Sequence, residues 1–337
     1  MATRDPAAEG AGEAPPPPPP APEVSILVVS YNTREMTLAC LASVIAETPE
    51  LPHELIVLDN ASADGSADAI AAAHPDIPLI RLAENIGFGR GNNRAAEAAR
   101  GRYLLLLNPD TVVRDRAIER LVAFARRRPE AMIWGGRTIF ADGSPNPSSA
   151  WGRLSLWSLT AFATGLSVLF PRSELTNPEG IGGWGRDTER GVDIVSGCFL
   201  LIERAFWERL GGFDPDYFMY AEEADLCHRA RALGARPRCT PEAMIVHHGG
   251  ASERVRTEKA LRLLSGKATL IAKHWSPPAA WAGRNLYRLG VGLRALGYGL
   301  AARLTGRQRH REAAEPWAAL WRRQAEWIRG YPPAGER

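Results

Sequence analysis

Lysine is nearly absent from this 337-residue chain: only Lys259, Lys267 and Lys273 occur, and arginine supplies the rest of the positive charge. With a formal net charge of +3, the chain lacks the basic excess that would argue for nucleic acid. Cysteine is scarce as well. Cys40, Cys198, Cys227 and Cys239 show no paired spacing, which excludes a disulfide framework and reads as free thiols in a reducing compartment. No apolar signal core follows the start MATRDPAAEGAGEAPPPPPP, so secretion is not expected, and residues 1–22 read as an extended proline-rich leader. There is also no uninterrupted apolar run of bilayer length. Residues 154–170 are uncharged but short of the ~20 residues that a crossing takes. Residues 281–304 are broken by Arg284, Arg288, Arg294 and Arg303. Each stretch reads either as a helix packed on the domain or as an interfacial amphipathic helix. The expected location is cytoplasmic, with peripheral contact at the inner face of the cytoplasmic membrane left open.

What is present is a rhythm. VSILVVS (24–30), HELIVLDN (53–60), LIRL (79–82) and RYLLLLNPD (102–110) are apolar strand-like runs. Helix-like segments separate them: TREMTLACLASVIAE, with Asn32 and Thr33 as candidate caps, then DGSADAIAAAHP and GNNRAAEAARG. Continuous apolar strands alternating with helices predict a parallel sheet covered on both faces. Beyond residue 130 the rhythm changes: AMIWGGRTIF and VDIVSGCFLLIER read as longer strands around an insertion of some fifty residues. An insertion of that length between strands is more often functional than inert.

Polar residues gather where the strands end: Ser30, Tyr31 and Asn32; Asp59 and Asn60; Asn85; Asn108 and Asp110. Open parallel sheets bind ligands along that edge. The Asn-Pro-Asp turn sets Asp110 at the rim, where a carboxylate suits a hard cation such as Mg²⁺ or Mn²⁺ and its bound phosphates. A plain NPD turn is the rival reading. Asp59 can accept from a ribose hydroxyl or a base N–H, although turn and capping chemistry also accounts for the SADGS that follows it. ENIGFGRGNN tempts a dinucleotide reading, but the third glycine of that fingerprint falls on Asn92 and the stretch follows the third strand. Gly87, Gly89 and Gly91 instead suit a backbone turning closely beneath a ligand, with the amides of Asn92 and Asn93 as donors. AMIVHHGGAS ends a further strand in His247 and His248, metal-ligand types in a context equally open to a structural role.

The stretch YFMYAEEADLCHRARALG packs Glu222, Glu223 and Asp225 into four positions. At helical spacing Glu222 and Asp225 share a face, and Glu223 points elsewhere. Clustered carboxylates resist simultaneous ionisation, and the helix start offers a favourable dipole. A solvated acidic first turn is the plain alternative.

Together, VVSYN, VLDNASADGS, ENIGFGRGNN, LLLLNPD, VSGCFLLIER, GGFDPDYFMYAEEADLCHRARALG and VHHGGAS resemble the bacterial family 2 glycosyltransferases of the rhamnosyltransferase-like group. The resemblance covers roughly residues 24–252. It implies an α/β GT-A fold: a Rossmann-like mixed sheet flanked by helices, as a catalytic domain over 23–252. Residues 141–190 would form an acceptor-side insertion and 253–337 a helical arginine-rich extension. It also implies inverting transfer of a sugar, L-rhamnose from dTDP-L-rhamnose, to a hydroxyl of a cell-surface glycan or lipid-linked acceptor. On that resemblance Asp110 and His247 hold a divalent cation with the diphosphate. Ser30, Tyr31, Asn32, Asp59, Asn60, Asn85, Gly87, Asn93 and Asn108 surround the donor. Glu223 is the base, a Glu where the family more often has Asp, with Glu222 and Asp225 beside it. Two other classes compete. One is a catalytically silent nucleotide-sugar- or glycan-binding protein on the same scaffold. The other is a metal-dependent phosphohydrolase, for which no second carboxylate clusters near Asp110.

Overall fold

The computed structural model describes residues 21–249 and 256–336. The expected leader lies almost wholly outside the described residues, as do the end of the VHHGGAS motif and the expected boundary at 252.

The first half is the predicted alternation. Strands β1 (Val24–Ser30), β2 (His53–Asp59), β3 (Leu79–Arg81) and β4 (Tyr103–Leu107) are interleaved with helices α1 (Arg34–Glu47), α2 (Ser66–Ala73) and α3 (Phe88–Ala96). All seven residues of β1 and all five of β4 are buried, as strands covered on both faces must be. Parallel pairing in the order β3-β2-β1-β4 brings the carboxyl ends to one edge; Ser30 is level with Asp59.

The sheet continues through β5 (Thr111–Val113), α4 (Ala117–Arg127), β6 (Ile133–Ile139) and the short β7 (Pro145–Asn146) and β8 (Ala150–Trp151). The insertion holds α5 (Leu156–Thr164), α6 (Leu166–Leu169) and β9 (Arg190–Gly191). After β10 (Ile194–Val195) come β11 (Phe199–Glu203), α7 (Arg204–Leu210), α8 (Glu222–Ala232) and β12 (Arg238–His247). The main path is β3-β2-β1-β4-β11-β6-β12-β5, with β7 paired to β6 and β9 to β12 beside it. β11 runs antiparallel to both β4 and β6, which makes the sheet mixed.

Helices α9 (Arg256–His274), α10 (Pro277–Thr305), α11 (Gln308–Arg322) and α12 (Gln324–Trp327) complete the chain. They build a third core in which Leu159 of α5 packs with Leu261, Ile271, Tyr287 and Val291.

Three local expectations are corrected. VDIVSGCFLLIER is two strands: β10 pairs with β8 in a separate ribbon, and a turn at Ser196–Cys198 precedes β11. Thr33 precedes α1 without a side-chain cap; its hydroxyl bonds the hydroxyl of Thr37 at 3.1 Å instead. The apolar run 154–170 is interrupted, because a Ser155–Ser158 capping box starts α5 and Gly165 ends it in the left-handed region. Among the described residues no helix is long and apolar enough to cross a membrane.

Candidate active site

At the end of β4, Asn108–Asp110 turns beneath two neighbours. The Asn108 amide donates to the Cys198 carbonyl at 3.1 Å, and the Asp110 carbonyl accepts from the His248 amide at 3.0 Å. Antiparallel pairing sets His247 level with Thr111, which brings its Nε2 to 3.4 Å from Oδ1 of the buried Asp110. Burial works against charge on this imidazole. Cys198 and the Asp110 carboxylate outweigh it and raise the pKa to about 10. Ser148 Oγ stands 3.2 Å from Nδ1 and helps fix the ring. His248 is exposed beside it.

Asp59 is buried at the end of β2. Oδ2 accepts from the Ser62 amide at 3.0 Å, and the buried Oδ1 has no partner among the described residues. Asn108 Oδ1 is in the same condition. Such acceptors are costly to leave unmet, so both are candidates for ligand contact. Tyr31 is half-buried at the end of β1.

The remaining polar edge residues mostly hold one another. Asn60 Nδ2 donates to Asn85 Oδ1 at 3.0 Å and to the Gly87 carbonyl at 3.2 Å, while its Oδ1 accepts from the Ile86 amide. Asn32, at φ 52°, accepts from the Ala63 amide at 2.8 Å. Ser30 Oγ lies 2.9 Å from Thr37 Oγ1. Asn93 exchanges two hydrogen bonds with the backbone of Phe213, at 2.8 and 2.9 Å. The expectation of free amides at Asn92 and Asn93 is corrected: both lie past the first turn of α3, where helical bonding uses them. Gly87 is required where it stands, since it has φ 87° and a Cβ there would meet the Phe218 carbonyl oxygen at 2.2 Å.

That contact joins the donor-side edge to the acidic helix. Phe218 opens the run Phe218–Ala221, and Tyr220 and Ala221 both take left-handed backbone conformations (φ 69° and 70°). For non-glycine residues this strain costs of order 1–3 kcal/mol each, and it typically persists where surrounding structure over-determines a functional turn. It delivers α8 with Glu222 and Glu223 at its first two positions. Glu222 is buried and Glu223 is half-buried; one carboxylate oxygen of each is sealed without a partner among the described residues. Burial is the main cause that raises both pKa values. Glu222 is driven further by the charge of Glu223, whereas the helix-start amides and Lys267 favour the Glu223 carboxylate. Both carboxyls are therefore held above the ordinary range, so the pair favours keeping a proton.

Gly197 closes the circuit. A methyl group there would stand 3.1 Å from the Phe88 ring and 3.9 Å from Cβ of Glu223, and the next residue, Cys198, bonds Asn108. One turn therefore touches both the NPD corner and the acidic helix.

Asp225 is tied to its own helix and to α9. Only 1% of its side chain is exposed; Oδ2 accepts from Arg229 Nε at 2.7 Å and Oδ1 lies 2.6 Å from His274 Nε2. Burial opposes the charge, but these partners hold its pKa below the ordinary value. Lys267 and His274, both on α9, are supporting residues that no motif announces. Asp225 lies 49 positions from His274, and Glu179, to which Lys267 donates, lies 88 positions from it.

Among the described residues no cluster of three His, Cys, Asp or Glu side chains could hold a metal. The pair Asp110 and His247 nevertheless fits a cation completed by substrate phosphates and water, the usual habit of Mg²⁺, and the imidazole would suit Mn²⁺ once the cation displaces the proton that Asp110 helps it hold.

A family model described as glycosyl transferase family 2 matches residues 25–210. The chain is 29% identical over 237 residues to an N-acetylglucosaminyl-diphospho-decaprenol L-rhamnosyltransferase of Mycobacterium tuberculosis, covering 66% of this chain and 75% of that protein. It has the same identity over 237 residues to the O-antigen biosynthesis protein RfbC of Myxococcus xanthus, covering 69% of this chain but only 18% of that longer protein. Among solved structures, a mannosyltransferase of Pyrobaculum calidifontis in complex with GDP-Man and Mn²⁺ superposes with TM-score 0.56 at 19% identity, over 91% of this chain and 87% of that one. That likeness bears on the fold, which is the expected GT-A type.

Proposed function

We propose that this chain, which belongs to glycosyl transferase family 2 and is a glycosyltransferase, transfers L-rhamnose from dTDP-L-rhamnose with inversion, to a hydroxyl of a lipid-linked or cell-surface glycan acceptor. The observation that carries the mechanism is the half-buried Glu223, joined through the Gly197–Cys198 turn to the corner bearing Asp110. An acceptor hydroxyl is a poor nucleophile, and a positioned carboxylate that takes its proton typically contributes ~10²–10⁴-fold. Glu223 is suited to this because it is the member of the pair that meets solvent, and the helix-start amides and Lys267 favour its charged form. Asp59 and Asn108 offer unmet acceptors to the donor nucleotide and sugar beside Tyr31. Asn32, Asn60, Asn85, Gly87 and Asn93 shape the loops that present them. Asp110 and His247 would hold a divalent cation, which when bound stabilises the negative charge of the departing diphosphate.

The test is a melting-temperature panel of nucleotide sugars with and without Mn²⁺. A shift specific to dTDP-rhamnose that requires the metal is expected. Equal shifts for all donors would refute the rhamnose assignment, and a full shift in chelator would refute the metal.

A peripheral membrane contact belongs to the same reading. On α10, Trp281, Leu289, Leu293, Leu296, Leu300 and Leu304 are exposed at spacings that share one helix face. The neighbouring insertion exposes Trp157, Val168, Leu169 and Phe170. Arg294 is drawn inward instead, its guanidinium 4.1 Å from the Phe162 ring. Sedimentation with anionic liposomes is expected, and a protein that stays wholly in the supernatant would refute the contact.

A further inference from the structure

A cavity of about 760 Å³ opens away from the strand ends, between the insertion and the far end of α8. Five arginines line it: Arg153, Arg190, Arg231, Arg236 and Arg238. Three have acidic partners, Arg190 with Glu174 at 2.6 Å, Arg231 with Asp193 at 2.7 Å and Arg238 with Glu189 at 2.7 Å. Arg153 and Arg236 are exposed and have no ion-pair partner among the described residues. The two acids in the wall, Glu174 and Asp193, are thus already matched, and the cavity keeps uncompensated positive charge.

The cavity is not isolated. A second hollow of about 470 Å³ shares Arg153, Ser155, Asp193 and Arg231 with it and runs along α8 past His228 to Ala224. Ala224 follows Glu223 on α8 and points about 100° round the helix from it, so the hollow ends one position from the carboxylate. Leu154, Leu156, Leu270 and Trp275 give this hollow apolar walls. The positive field extends into it: burial chiefly holds the His228 pKa below its ordinary value, and His274, Arg231 and Arg153 add to the effect against Asp225. From Glu223 to Arg231 the helix rises about 12 Å.

We propose that this trough seats the acceptor, with a phosphoryl group of the acceptor held by Arg153 and Arg236 and its reacting hydroxyl directed towards Glu223. The inference rests on the reading of Glu223 as base. Guanidinium groups match phosphate oxygens in geometry and charge, and such bonds are the stronger class of hydrogen bond. A nucleic acid is disfavoured, since two free cations in a concavity neutralise too few phosphates for a polyanion. The apolar stretch between the arginines and Glu223 suits the carbon framework of an amphipathic small molecule.

The test measures binding of farnesyl diphosphate, farnesol and inorganic pyrophosphate to the full chain, with dTDP and Mn²⁺ saturating so that the donor cleft is filled. The same titrations are run on Arg153→Gln, Arg236→Gln and the double variant. Both positions are exposed, so folding is retained, which the melting temperature checks. Farnesyl diphosphate is expected to bind at least tenfold more tightly than farnesol, with about a tenfold loss for each arginine removed. Pyrophosphate bound with the same dependence would also support the phosphoryl site and name the free anion as its source. Affinity unchanged in the double variant overturns the proposal, as does farnesol binding as tightly as its diphosphate. Binding only to phosphatidylglycerol vesicles, and to neither phosphate, overturns it too. Arginine-dependent binding together with an undiminished transfer rate in Glu223→Gln would leave the anion site standing and remove the base reading alone.

Discussion

Replacing Glu223 by Gln changes one atom's chemistry and little of its shape, so the effect on rate isolates proton abstraction. Loss of a general base lowers the transfer step ~10²–10⁴-fold, equivalent to about 3–5 kcal/mol in the barrier. The fold should not suffer. Burial opposes ionisation of both glutamates, and the Glu223 charge is among the causes that raise Glu222. Removing that charge relieves the pair, so the variant is expected to melt at or above the wild-type temperature. The assay is single-turnover transfer from dTDP-rhamnose at saturating acceptor, followed over pH. Because the base must be ionised and its pKa is raised, the wild-type rate should fall with acid at a higher pH than an ordinary glutamate would give. In Glu223→Gln that acid limb should disappear. Glu222→Gln, altering a buried group whose ionisation burial already opposes, should cost less than about tenfold. A Glu223→Gln rate within threefold of wild type, or an acid limb that survives the substitution, would refute the reasoning.

Asp59→Asn disturbs a buried carboxylate with an unmet oxygen, so donor affinity should weaken about 10- to 100-fold in calorimetry while the melting temperature of the free protein moves little. Asp225→Asn removes one side of the clamp with Arg229 and His274 and should destabilise by about 3–5 kcal/mol in urea titration. Because the folded pKa of Asp225 is depressed, its contribution is present above the ordinary carboxylate pKa and lost as pH falls through the lower folded value; the wild type should therefore lose this difference only in strong acid. Arg186 lies buried in the insertion and donates to the carbonyls of Trp184, Pro147, Ala150 and Gly180. Arg186→Leu should cost about 3 kcal/mol or more, seen as early proteolysis within 141–190. In Asp110→Asn the metal-dependent part of the donor melting shift should vanish and leave any metal-independent part.

The parallel half of the sheet was legible because its strands are covered on both faces and so appear as unbroken runs such as LLLL before Asn108. The edge residues were legible as positions, but not as roles. Asn60 and Asn93 look like ligand donors in a sequence, and only the packing reveals that they bond Gly87 and Phe213. VDIVSGCFLLIER reads as one strand because hydrophobicity does not record a change of partner at Ser196–Cys198. Tyr220 and Ala221 carry no turn chemistry, so nothing local announces their left-handed backbone; it is imposed by what surrounds them. Lys267 and His274 were out of reach for a related reason, since a side chain whose partner lies on another element, tens of residues away, leaves no periodic trace.

The bond between Asp225 and His274 has a practical corollary for protein engineering. The family match stops at residue 210, an inviting place to cut when grafting a donor specificity from one relative onto another. A graft joined there keeps the carboxylate and the imidazole in one parent, whereas a cut between α8 and α9 would draw them from two. Grafts should therefore move these two helices as one cassette.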